Sequence, residues 1–203
     1  MLSRVDLKEA IASGQLFIEG LKEESIQPAS IDLHLDYRVI RLKRPRLSFF
    51  RRLWLAIALR GIPRADPVDP YNQEEMLSLF GETEEYYLWF AIEPGEFLLA
   101  ATERVAIGNE LVAQVAGKSS VARFGLMVES AGYIDPGFDG SITLELFNQL
   151  HRPLILTAGM PIAQLAVTRL DTPADKTYAG KYNGSVGPIA SRYYLNKRPG
   201  ESV

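Results

Sequence analysis

Residues 117–125 read Gly-Lys-Ser-Ser-Val-Ala-Arg-Phe-Gly, so Lys118, Ser119, Ser120, Val121, Ala122 and Arg123 place two hydroxyls and two fixed cations in six positions. Hydroxyl donors, backbone N–H groups and a guanidinium beside an ammonium are the donor set that holds a phosphate. The spacing is not that of a P-loop, because no G-x-x-x-x-G-K-[ST] occurs. The stretch therefore reads as a weak anion site of another kind. A second candidate is Glu145, which interrupts the apolar run Ser141-Ile-Thr-Leu-Glu-Leu-Phe-Asn148. Period-2 alternation sets Ile142, Leu144 and Leu146 on one face and Ser141, Thr143 and Glu145 on the other. Two placements fit: a solvent-facing glutamate on an ordinary strand, or a carboxylate lining a pocket and tuned for general acid–base work.

Asp135 heads Asp-Pro-Gly-Phe, which fits a turn with Pro136 at its second position and Gly137 at its third. Taken alone, an aspartate there is often structural, and a functional role stays open. The last 33 residues turn polar and glycine-rich, with Tyr178, Lys181 and Ser185 in or beside the run Lys-Tyr-Asn-Gly-Ser-Val-Gly-Pro. Such a tail builds no core; it is expected to be disordered or to close over something.

The elements that must position these residues follow from pattern. Ser3 is a candidate N-cap with Asp6 three residues on, and Leu7, Ala10 and Ile11 share a helical face that ends before Gly14. Residues 27–42 alternate, with Ile31, Leu33 and Leu35 opposite Asp32, His34 and Asp36, as a half-buried strand does. From Gly95 onward the chain reads as short strands punctuated by turns, over 96–108, 110–117, 140–148 and 154–170. That spacing points to a sandwich or barrel of jelly-roll type. Between them, 41–92 is irregular. Phe49, Phe50, Leu53, Trp54, Ile57 and Ala58 recur at helical spacing, with Arg51, Arg52 and Arg60 among them. The favoured reading is a helix packed on the body or on a neighbouring subunit; the less favoured one is a basic amphipathic helix, residues 47–62, touching a membrane or an acidic partner. Residues 66–94 read as an acidic loop that ends in a strand near 86–92.

At 203 residues the chain is expected to be one domain. Its net charge of −3 disfavours a general nucleic-acid binder. With no cysteine and two histidines, His34 and His151, far apart in sequence, a catalytic zinc is not expected, nor a Ser-His-Asp triad. Charges break residues 1–20 every few positions, so no signal segment is read there, and the expected compartment is the cytoplasm.

Together, Gln27–Asp36, Gly117–Leu126, Ala131–Asn148, Gly159–Leu165 and Lys181–Arg192 resemble the dCTP deaminase branch of the dUTPase-like superfamily. Five motifs occur in order, over roughly 1–40 and 93–196. The resemblance implies a mainly β, distorted jelly roll or β-barrel with a short N-terminal helix and a helical insertion, one domain over 1–203 whose tail, 171–203, closes. It implies a homotrimer with sites between subunits, deamination without zinc, and magnesium carried with the triphosphate. Glu145 would be the general acid/base, and Arg123 and Ser119 would orient water and base. Lys118 to Arg123 would meet the triphosphate, Asp135 the sugar hydroxyl, and Thr143 and Leu144 the base through their backbone. Gln164, Tyr178, Lys181 and Ser185 would complete the nucleotide contacts. Ser185 stands where the family usually has glutamine. The Ala-Gly-Tyr-Ile-Asp run resembles the dUTPase motif and that of bifunctional enzymes that carry dCTP through to dUMP. The alternatives are that bifunctional reaction, a dUTPase, against which Arg123 argues, and a non-catalytic nucleotide-binding regulator or scaffold.

Overall fold

The structure is a computed structural model that describes residues 1–43, 68–129 and 132–200. The basic apolar stretch 47–62 lies outside the described residues. The chain divides into two compact units, one formed by 1–41 with 82–190 and the other by 42–81 with 191–203.

The first unit begins with α1 (Arg4–Ala12), whose Ser3 cap is reciprocal as expected: the Asp6 N–H donates to the Ser3 hydroxyl, and the Ser3 N–H donates to the Asp6 carboxylate at 2.9 Å. Leu7 and Ala10 are buried. The strands follow as β1 (Leu16–Ile18), β2 (Ile31–His34), β3 (Arg38–Leu42), β4 (Phe80–Glu85), β5 (Trp89–Ile92), β6 (Phe97–Ile107), β7 (Leu111–Gly117), β8 (Leu126–Glu129), β9 (Tyr133–Ile134), β10 (Asp139–Asn148), β11 (Leu154–Thr157) and β12 (Pro161–Arg169). They form one sheet in the order β4-β3-β6-β10-β8, with β1 also on β6, a second in the order β2-β12-β7-β9, and a pair β11-β5. The described sheets do not close into a barrel; the architecture is the distorted jelly roll expected. Leu98, Ala100, Leu144 and Leu146 of the first sheet share one apolar core with Ile31, Leu33, Val115, Leu165 and Val167 of the second.

Two expectations change. The alternating run over 27–42 is two strands in different sheets, not one. Asp36 breaks it: its carboxylate accepts from both the backbone N–H and the guanidinium of Arg38, which turns the chain between β2 and β3. The acidic stretch expected as a loop holds a helix, α2 (Gln73–Ser78), and the strand β4. Asn72 caps α2, and Met76 is its one buried residue, so the apolar period was too faint to read. In the second unit, α2 is accompanied by Tyr71, whose ring meets Tyr193 edge-on at 5.2 Å, and by an Arg198–Asp69 ion pair.

The tail of the first unit lies along β10. The Ser141 N–H donates to the Ser185 carbonyl at 2.8 Å, and the Ser185 hydroxyl donates to the Ser141 carbonyl at 3.0 Å. Gly140 permits this approach: a Cβ there would lie 2.8 Å from the Ser185 hydroxyl oxygen and 3.0 Å from its backbone nitrogen. Gly140→Ala is therefore expected to push the tail off β10. It should cost about 1–2 kcal/mol in lost hydrogen bonds, and limited proteolysis should then cut near residue 185 where the wild type resists.

Candidate active site

The turn after β7 is held by one apolar anchor. The Lys118 N–H donates to the Ile162 carbonyl at 3.1 Å, and the single helical turn α3 (Ser119–Ala122) buries Val121 alone. That leaves Ser119, Ser120, Ala122 and Arg123 exposed. Gly117 brings the turn against β8: a Cβ there would lie 3.1 Å from the Val128 carbonyl oxygen. β8 in turn pairs with β10, with Val128 opposite Leu146 and Glu129 opposite Glu145.

Lys118 and Gln164 meet at a residue that sequence reasoning placed only on a strand face. The Asp32 carboxylate accepts from the Lys118 ammonium at 2.6 Å, the Gln164 amide at 3.1 Å and the Gln27 amide at 3.1 Å. Asp32 is 8% exposed, so its charge rests on these partners rather than on water. The only signal in the sequence was an aspartate in the middle of an otherwise good strand.

Glu145 is half-buried in the middle of its sheet, between Leu99 on β6 and Glu129 on β8. Burial pushes its carboxyl above the ordinary range, and the like charge of Glu129 adds to that; its own backbone opposes both. Two strand residues earlier, Thr143 uses its hydroxyl to accept from the Ile189 N–H at 3.1 Å, while Leu144 is fully buried. The β10–β6 register shifts between Ser141 and Thr143, where Thr102 and Glu103 stand against the single residue Ile142. The strict alternation expected for Ser141 therefore fails, and that residue is buried beneath the tail.

Asp135 is exposed and heads the turn read from sequence: the Phe138 N–H donates to its carbonyl at 3.1 Å, and Gly137 has φ +84°. The tail passes over this turn, with the Tyr178 N–H on the Pro136 carbonyl at 2.7 Å and the Tyr178 ring 5.9 Å from that of Phe138. Lys181 follows, its ammonium 5.7 Å from the Tyr182 ring centre. Ser185 faces β10 rather than an open cleft.

The chain thus assembles three groups: the Lys118–Arg123 turn with Asp32 and Gln164, the carboxyls of Glu145 and Glu129, and Asp135 with the tail. Among the described residues no hydrogen bond or ion pair joins Glu145 to Ser119 or Arg123, and no cation contributes to the electrostatics at Glu145. His34 is a packed histidine, with Nδ1 3.1 Å from a Glu103 carboxylate oxygen and Nε2 3.5 Å from the Ser25 hydroxyl. Among the described residues no three His, Asp or Glu side chains are grouped as a metal ion would require, and no helix is long and apolar enough to cross a membrane.

Two packed sheets carrying a hydroxyl-and-cation turn against β8, a shielded carboxyl on the strand paired with β8 and a tail folded back along that strand define a mainly β protein of distorted jelly-roll type. The sequence model of one family, described as dCTP deaminase-like, matches residues 1–170. The chain belongs to that family. It is 40% identical to a "dCTP deaminase, dUMP-forming" of Nocardia farcinica, over 97% of this chain and 92% of the relative. It is 37% identical to a "dCTP deaminase" of Haloarcula marismortui, over 95% and 94%. The solved 2'-deoxycytidine 5'-triphosphate deaminase of Agrobacterium tumefaciens superposes with a TM-score of 0.58 at 18% identity, over 83% of this chain and 47% of that one. This chain spans about half the length of that structure's chain, and at that identity the likeness speaks for the fold alone.

Proposed function

We propose that the chain releases ammonia from dCTP, converting it with water to dUTP, and that Glu145 moves the protons. The observation that carries this is a half-buried carboxyl, held above its ordinary range by burial, on the strand paired with β8, against which the hydroxyl-and-cation turn packs. Attack of water at C4 of cytosine needs one group that accepts a proton and then gives it back. Glu145 takes a proton from the water and delivers it to N3 of the ring. It then passes the second proton of that water to the amino group, which leaves as ammonia as the C4 carbonyl forms. Ser119 and Arg123 orient the water and base and stabilise the charge that develops.

Ser119 and Arg123 are exposed and make no bond to Glu145 within one chain, which supports a site completed by a second copy. The assembly we infer is a homotrimer with its sites between subunits. Lys118 to Arg123 and Gln164 bind the nucleotide together with Asp135, Thr143 and Leu144, and the tail brings Tyr178 and Lys181 over it. Ser185 acts indirectly, by docking that tail on β10. Magnesium arrives with the triphosphate, as part of the substrate.

A second reading extends the first. Relatives at 36–40% identity carry the name "dCTP deaminase, dUMP-forming", and Asp135 is exposed at the head of its turn. On this reading Asp135 also activates the water that cleaves the triphosphate, giving dUMP and pyrophosphate. Incubation with dCTP and magnesium decides between the two. Ammonia with dUTP alone supports the first reading, and ammonia with dUMP and pyrophosphate the second; pyrophosphate from dUTP without ammonia from dCTP would overturn both. If cleavage occurs, Asp135→Asn is expected to lower pyrophosphate release by about 10²-fold or more while ammonia release falls far less.

A further inference from the structure

Glu129 ends β8 directly opposite Glu145, and the two side chains share a face of the sheet. Directly opposed residues of an antiparallel pair have Cβ atoms about 4.5–5.5 Å apart, and like charges so placed destabilise the pair. A sheet selected for stability alone would not keep two glutamates there. The other neighbours of Glu145 on that face carry no charge: Leu99 on β6, and Thr143 and Phe147 on its own strand. Ile189 of the tail, which reaches Thr143, is likewise uncharged. Glu129 is thus the one described charge set against Glu145 from any packed element. It is also the more exposed of the two.

We propose that Glu129 is a positioning residue of the deamination reaction, acting through Glu145 across the β8–β10 pair rather than on the nucleotide. This rests on Glu145 carrying the protons. A general base that is also to be a general acid works best when its proton is held and released near the working pH. Burial is the main cause of that adjustment, and the opposed carboxylate adds to it by disfavouring a second negative charge on the same patch of sheet. Glu129 touches no atom that reacts. Its effect is to keep Glu145 from ionising fully in acid solution.

The test is the pH dependence of kcat/KM for ammonia release from dCTP, measured on the wild type, Glu129→Gln, Glu129→Asp and Glu145→Gln. Activity falls in acid as the free enzyme's Glu145 gains its proton. Removing the opposed charge favours ionisation, so the acid limb of Glu129→Gln should move to lower pH. On that limb the variant should retain about two- to fivefold more of its plateau activity than the wild type does. Glu129→Asp, which restores the charge, should return the limb toward the wild-type position. A merely structural role would lower the plateau without moving the limb. Superimposable limbs for wild type and Glu129→Gln, with Glu145→Gln inactive, would overturn the proposal and leave the reading of Glu145 standing. Wild-type turnover by Glu145→Gln would overturn that reading itself. If Glu129→Gln folds poorly, Glu129→Ser carries the same prediction with a shorter uncharged side chain. In every folded variant that keeps Glu145, titration of its carboxyl carbon by NMR must shift in the same direction as the limb.

Discussion

Glu145→Gln is expected to unfold at a higher temperature than the wild type at neutral pH while losing about 10²–10⁴-fold in deamination. Both effects have one cause. Burial lifts the folded-state pKa of Glu145 above its unfolded value, with Glu129 adding to the lift. Between those two values the folded chain keeps a proton that the unfolded chain has already released. The folded state therefore binds more protons there, and stability falls as pH rises through the interval. Above it the folded protein carries a charge in a half-dry place, and the neutral amide that Glu145→Gln introduces removes that penalty. The difference in Tm should thus be small in acid, where both side chains are uncharged, and open as pH rises past the ordinary carboxylate range. Thermal unfolding across that range checks it. A wild type that gains on the variant with rising pH would mean that Glu145 has a favourable partner when ionised.

Asp32→Ala should have the largest effect on stability. It removes the acceptor of the Lys118 ammonium and of two amides at once. The aspartate and lysine side chains are 11% and 23% exposed, so water replaces the lost partner poorly. A hydrogen bond to a charged group contributes about 1.5–3 kcal/mol, and a loss of about 2–3 kcal/mol is expected here. For a chain of this size that is a fall in Tm of about 4–12 °C. Nucleotide affinity should fall with it, because Lys118 and Gln164 lose their common anchor. Asp32→Asn keeps the shape and loses the charge, so it should recover part of the stability but little of the affinity. A Tm for Asp32→Ala within a degree of the wild type would contradict this role.

What could be read from sequence was what lies close in sequence. The Ser3–Asp6 capping box spans three residues, and the Asp135–Phe138 turn follows from the stereochemistry of Pro136 and Gly137. The long strands β6, β7, β10 and β12 announced themselves by period. Short strands did not: β1, β8 and β9 have two to four residues, too few for a period to show. Glu145 was visible as a charged residue in an apolar strand, yet its shielding depends on which residues β6 and β8 place beside it. Glu129 could not be seen, since a register between strands sets its position and the run Leu126–Glu129 carries no signal of its own. Asp32 meets Lys118 across 86 positions, and no local pattern encodes such a meeting. Ser185 stood out as a departure from the family's usual glutamine. Only the structure gives the serine its task, which is to pair with Ser141 and hold the tail on β10.

The most direct measurement is ammonia release in a single turnover of dCTP bound to Glu145→Gln, beside the wild type under the same conditions. The variant is expected to bind dCTP with similar affinity and to release ammonia about 10²–10⁴-fold more slowly. Equal rates from two fully bound enzymes would contradict it, because the proton would then travel without this carboxyl.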